Sequence, residues 1–206
     1  ASYATVIHAT PTTNWVEGDG GTNNVPAGEI TWNNMPTDLC APPSGATGGR
    51  VALSATDSSR LVWIPENGYV WHSKDRGMTW ARGTRGGSNL AVDGMSEFTT
   101  DRNPLASDRV SADTFYAYAK TGSGTIYRST DGGATWATLA TGVGTANGYK
   151  LLSVPGMAGR FWYLDQNWNV AAHFKYWTGS VMTNVPGISS AVDFAFGKAA
   201  PGRTNP

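Results

Sequence analysis

A single cysteine, Cys40, leaves the chain without an internal disulfide framework or a multi-cysteine metal site. The histidines are equally sparse: His8, His72 and His173 stand far apart and share no metal-ligand spacing, so neither a metal nor a cofactor is expected. Charge is scarce too. Charged residues make up 15% of the sequence, and Lys+Arg 15 balance Asp+Glu 15. No basic block forms a phosphate-tracking groove, which excludes nucleic acid as an expected partner. No apolar run approaches the roughly 20 residues of a membrane span, so no membrane is expected either. The first residues, Ala1-Ser-Tyr-Ala-Thr-Val-Ile7, lack the charged start and apolar core of a signal peptide, so a secreted protein would be seen here after processing. Gly-x-Ser-x-Gly does not occur, and Gly18-Asp-Gly-Gly21 lacks the Lys and the following helix of a phosphate loop.

What is plentiful is turn-forming and aromatic. Gly 26 and Pro 11 with 40% hydrophobic residues point to short strands and many turns around a substantial core. At 206 residues this is one large all-β domain or part of something longer. Nine Trp exceed what packing needs, and the surplus favours flat surfaces that stack on weakly polar ligands, sugar rings above all.

Two octapeptides organise the chain. Ser73-Lys-Asp-Arg-Gly-Met-Thr-Trp80 and Ser129-Thr-Asp-Gly-Gly-Ala-Thr-Trp136 both read S-x-D-x-G-x-T-W. Each follows a β-prone run, Tyr69-Val-Trp-His72 or Thr125-Ile-Tyr-Arg128. Ser and Asp can close such a turn on nearby N–H groups, Gly supplies a positive φ, and Trp anchors the next strand. The pattern resembles the Asp-box of sialidase-like β-propellers. The two aspartates are spaced by roughly 55 residues, the length of a propeller blade. A third copy begins at Phe161-Trp-Tyr-Leu164, turns at Asp165-Gln-Asn-Trp-Asn169 and continues through Val170-Ala-Ala-His-Phe174, but Lys175-Tyr-Trp-Thr-Gly179 keeps neither the Asp nor the spacing of the box. The expected fold is therefore all-β, an incomplete propeller of about three to four blades over 49–206. Residues 1–48 form an irregular N-terminal segment or a diverged blade. An open propeller exposes a strand edge, so the remainder of a longer polypeptide, or another chain, is expected to complete it.

Several further motifs carry a family resemblance. In order, Gly49-Arg-Val-Ala-Leu-Ser54, Leu61-Val-Trp63, the first box, Ser107-Asp-Arg-Val110, Phe115-Tyr-Ala-Tyr118, the second box, Val154-Pro-Gly156, Phe161-Trp162 and Gly197-Lys-Ala-Ala-Pro-Gly202 resemble successive landmarks of the second propeller of family 74 glycoside hydrolases, the xyloglucanases and oligoxyloglucan-specific cellobiohydrolases. The resemblance implies a secreted, polysaccharide-degrading parent with two seven-bladed propellers flanking a cleft and one catalytic aspartate in each. No segment here resembles either catalytic motif, so fold and ligand class carry over, a β-glucan such as xyloglucan, and no catalytic residue does. A non-catalytic carbohydrate-binding or assembly module is the alternative.

Glycoside hydrolysis needs two carboxyl groups facing each other across the sugar. Asp75 and Asp131 belong to the boxes, and Asp57, Asp101, Asp108 and Asp113 lie in turn-like contexts. Asp165 has the most sugar-like setting, as a loop acid placed to hydrogen-bond hydroxyls. A sialidase would need a cluster of arginines, and nothing groups Arg50, Arg60, Arg102, Arg109 and Arg128. The better site lies in the aromatics Trp162, Tyr163, Trp168, Tyr176 and Trp177, which strand alternation cannot bury on one face. Trp168 and Trp177 are assigned to sugar stacking, with Asn167 and its neighbours Gln166 and Asn169 fixing hydroxyls. Trp162 and Tyr163 either join them or fill the gap between blades.

Overall fold

A computed structural model describes residues 46, 48–92, 102–145, 148–166, 174–188 and 191–197. The N-terminal segment 1–45, Trp168, Asn167 and the run 170–173 lie outside the described residues. Short β-branched and aromatic runs separated by Gly, Pro, Asn and Asp give fifteen strands and no helix among those residues.

The first sheet is a meander of β1 (Arg50–Leu53), β2 (Leu61–Ile64), β3 (Trp71–Ser73) and β4 (Ala81–Arg82), followed by a hairpin of β5 (Thr84–Arg85) and β6 (Ser88–Asn89). The second has the same order in β8 (Leu105–Ser107), β9 (Phe115–Ala119), β10 (Thr125–Ser129) and β11 (Ala137–Thr141). The third consists of β12 (Tyr149–Ser153), β13 (Phe161–Asp165), β14 (Phe174–Trp177) and β15 (Met182–Asn184). It also gains β7 (Arg102–Asn103), which pairs in parallel with β12. The remaining strand pairings are antiparallel, as hairpin connections require, and an isolated parallel bridge joins Thr84 to Thr135. The turn after the first strand closes in the same way each time: Ser54 N–H donates to Arg60 O (3.0 Å), Asp108 to Thr114 (2.8 Å) and Val154 to Arg160 (2.9 Å). The chain is all-β and built of successive propeller blades.

Two hydrophobic layers join the three blades. Val62, Ile64 and Val70 of the first face Leu105, Phe115, Ala117 and Trp136 of the second. Tyr116, Tyr118 and Ile126 of the second face Tyr149, Leu151, Phe161, Tyr163 and Trp177 of the third. Period-two alternation puts one set of residues from the middle blade into each layer, so its β9 is buried on both faces. The first strands β1, β8 and β12 approach one another, and the sheets diverge towards their last strands.

Two strands differ from expectation. The run at Tyr69 becomes regular only from Trp71, because Val70 N–H instead donates to Leu90 O (3.0 Å) and Tyr69 forms an isolated bridge with Ala91. In the third blade, Lys175-Tyr-Trp, expected as a decayed turn, is strand: β14 pairs with β15, Lys175 opposite Asn184 and Trp177 opposite Met182. Without the Asp and Gly that close a turn, these β-prone residues extend the ladder.

Candidate functional site

The two octapeptides fold identically and fix one end of their blades. In the first, Ser73 Oγ donates to Asp75 Oδ1 (2.7 Å) and accepts from Gly77 N–H (2.8 Å), while Asp75 accepts from Thr79 N–H (2.9 Å) and Thr79 Oγ1 (2.5 Å). The second repeats this with Ser129, Asp131, Gly133 and Thr135 at 2.8, 2.9, 2.9 and 2.6 Å. Partial burial works to raise the carboxyl of each aspartate. Bonds from the threonine and serine outweigh this and hold both below the usual carboxylate range. Arg76 sits at φ 65° where the second copy has Gly132 at φ 76°. A side chain there costs about 1 kcal/mol of backbone strain.

Gly133 and Trp136 also tie the second blade to the first. Thr84 N–H donates to Ala134 O (2.9 Å) and Trp136 N–H to Thr84 O (2.8 Å). The indole of Trp136 donates to Gly133 O (2.8 Å), and a Cβ on Gly83 would lie 2.7 Å from that indole nitrogen.

His72 lies in this seam against Gly133. Burial lowers its pKa, Lys74 adds to the lowering, and Asp131 opposes both. The folded state therefore favours neutral His72 and binds fewer protons than the unfolded chain. Its stabilisation is complete above about pH 6.5 and declines as pH falls below that value towards the lowered folded pKa. Urea midpoints at pH 7.5 and pH 5 are expected to fall for the unaltered chain and to stay closer together for His72→Gln. Equal falls in both would refute His72 as the source.

The opposite ends of the blades carry a buried polar group. Tyr118 packs on Tyr149 and Tyr163 with ring centroids at 4.6 and 5.0 Å, and its hydroxyl donates to Gly144 O (2.7 Å). Beside them, Asp165 is the last residue of β13 and only 1% exposed, so it is a buried strand-end carboxyl where a loop acid was expected. It stands against Gly144, where any Cβ would overlap its carboxylate. Burial raises the Tyr163 hydroxyl far above its ordinary pKa, with Tyr118 and Asp165 adding to this. Burial also lowers that of Lys175, which Asp165 partly restores. Lys175 Nζ donates to Val143 O (2.8 Å).

The other predicted site residues fall on two faces. Trp162 is half-buried on the third blade's outer face, with Tyr176 opposite it and Phe174, Phe194 and Phe196 around it at 4.9, 6.4 and 6.0 Å. Trp177 pairs with Phe161 on the inner face, stacks on it at 5.9 Å and 4°, and is 7% exposed. Tyr163 is fully buried between blades. Trp162 and Trp177 are thus on opposite sides of one sheet. Sequence reasoning missed Asp108, which is buried and receives four hydrogen bonds: Val110 N–H and Ser111 N–H (both 2.9 Å), Tyr116 OH (3.0 Å) and, from the third blade, Gly159 N–H (2.7 Å).

Among the described residues no group of three or more His, Cys, Asp or Glu could hold a metal ion, and no helix is long and apolar enough to cross a membrane. No protein-family model matches the chain. A xyloglucanase of Paenibacillus sp is 29% identical over 192 residues, covering 91% of this chain and 16% of that protein. A xyloglucanase of Acetivibrio thermocellus is 29% identical over 185 residues, covering 90% of this chain and 18% of that protein. Among solved structures, a family 74 glycoside hydrolase of Niastella koreensis superposes with a TM-score of 0.63 at 27% identity, over 81% of this chain and 22% of that one. The chain spans less than a fifth of the length of these two curated relatives. In sequence and in fold, it is similar to a portion of the family 74 glycoside hydrolases.

Proposed function

We propose that the chain is a portion of a secreted, xyloglucan-active glycoside hydrolase, in which its Asp-box blades form a wall of the substrate cleft. The observation that carries this reading is the 29% identity to two xyloglucanases over nine tenths of the chain. The aromatics Trp162 and Trp168, with Asn167, would stack on and hydrogen-bond the glucan.

A second reading, a binding wall without catalysis of its own, is favoured by where acids among the described residues go. Asp57 is held by Ser59 and Arg60, Asp113 by Arg60, and Asp193 by Lys150. Asp75 and Asp131 close turns, and Asp108 and Asp165 are buried. Each of these is taken up by a turn, a cation or burial rather than standing free as one of the two facing carboxyls that glycoside hydrolysis uses.

The purified chain is expected to be retarded in a native gel containing xyloglucan and to migrate freely in one containing starch. Trp168→Ala is expected to weaken retardation about tenfold, equivalent to about 1.4 kcal/mol. Release of reducing ends from xyloglucan would establish catalysis within this chain. Absence of both retardation and release would sink the glycan reading.

A further inference from the structure

Radially arranged sheets splay at their last strands, and something must fill each wedge. Between the first and second blades the filler is Trp136, which immediately precedes β11, is buried, and is pinned to Gly133. Between the second and third blades the corresponding residue, immediately before β15, is Val181, and it is 53% exposed. The octapeptide is replaced there by a shorter turn over 178–181, closed by Thr178 N–H to Val181 O (3.0 Å). The wedge stays open as a groove of about 430 Å³.

Its lining is mixed. Leu139, Trp177 and Met182 give an apolar floor, and Thr141, Ser180 and Asn184 bring hydroxyls and an amide to the rim. No carboxylate lines it, and the one cation, Lys175, spends its ammonium on Val143 O. A neutral, hydroxyl-rich ligand with one apolar face matches such a surface better than an ion or a purely apolar group does.

We propose that this rim groove, opened by loss of the third octapeptide, is a separate binding site for a neutral pyranose unit of a β-glucan. The proposal rests on the glycan reading above and adds a second contact. Trp177, buried and stacked on Phe161, lines the rim groove without offering an open ring face, while Trp162, on the other face of the sheet, cannot reach the same sugar ring.

Filling the wedge tests it. The full chain, Val181→Trp and Asn184→Ala are titrated with xyloglucan oligosaccharide while the indole N–H resonances are followed by NMR, with thermal melts to verify folding. The Trp177 resonance is expected to shift on titration of the unaltered chain. Val181→Trp, which restores the missing filler, is expected to abolish that shift without lowering Tm, and Asn184→Ala to weaken it about fivefold. A Trp177 resonance that stays still while other indoles shift, or shifts alike in all three proteins, overturns the groove and leaves the glycan reading standing. No indole response and no gel retardation of the unaltered chain overturns both.

Discussion

Gly133→Ala is expected to destabilise the protein by roughly 3–5 kcal/mol and lower Tm by about 10 °C in a circular-dichroism melt. Two separate effects add. The residue sits at φ 93°, where an L side chain is strained by about 1–2 kcal/mol. A Cβ there would also lie 2.5 Å from Val62 Cγ2 and 2.9 Å from His72 Cβ, inside van der Waals contact with a β-branched side chain and a Cβ that cannot rotate away. Relief would require the second blade to withdraw from the first, breaking the Thr84 bonds and unseating Trp136. Gly132→Ala is the control. Its φ of 76° is similar, but a Cβ would meet the flexible side chains of Asp113, Lys74 and Arg60 at 3.3, 3.4 and 3.6 Å, and the first copy already tolerates Arg76 in this place. Its cost should stay near 1–2 kcal/mol. Equal losses from the two substitutions would show that the interblade contact contributes nothing.

Asp108→Ala is expected to cost about 3–5 kcal/mol, because it leaves several donors without an acceptor and each buried, unsatisfied group costs about 1–3 kcal/mol. Four donors lose their acceptor together. Val110, Ser111 and Tyr116 belong to the same blade, and Gly159 to the next. Burial first, and Asp108 second, hold the Tyr116 hydroxyl protonated well above its ordinary pKa, so it remains a donor at every pH at which the fold survives. Urea denaturation measures the loss, and amide exchange shows where it falls. Gly159 N–H should exchange faster in the variant than the amides of the first blade. A cost below about 1 kcal/mol, or uniform acceleration of exchange, would reduce Asp108 to an ordinary turn residue.

Local chemistry explains what was legible beforehand. The Ser73 and Ser129 turns could be read from eight residues because every donor and acceptor in them is within that stretch. The strands at Leu61, Phe115, Thr125 and Phe161 followed from runs of β-branched and aromatic residues bounded by turn formers. Asp108 opens the same kind of turn as Ser54 and accepts from the same two N–H positions, so nothing local marks it as more than a turn residue. Only Gly159, fifty-one residues on, makes it a link between blades. Asp165 was misread for the opposite reason. Its neighbours Gln166 and Asn167 suggest a loop, but β13 runs one residue further and pairs Asp165 with Tyr149 inside the interblade layer.

By itself the sequence determined the class of the fold, the repeat and the position of the two octapeptide turns, because these depend on side chains bonding to backbone a few residues away and on period-two alternation. It also determined that Trp162 and Trp177 differ in face from their immediate neighbours. Which face meets another blade, whether an aromatic is buried or open, and what fills the space between diverging strands were decided only by the tertiary structure. These depend on contacts between blades roughly fifty residues apart, and there the loss of one turn tryptophan turns a filled wedge into a groove.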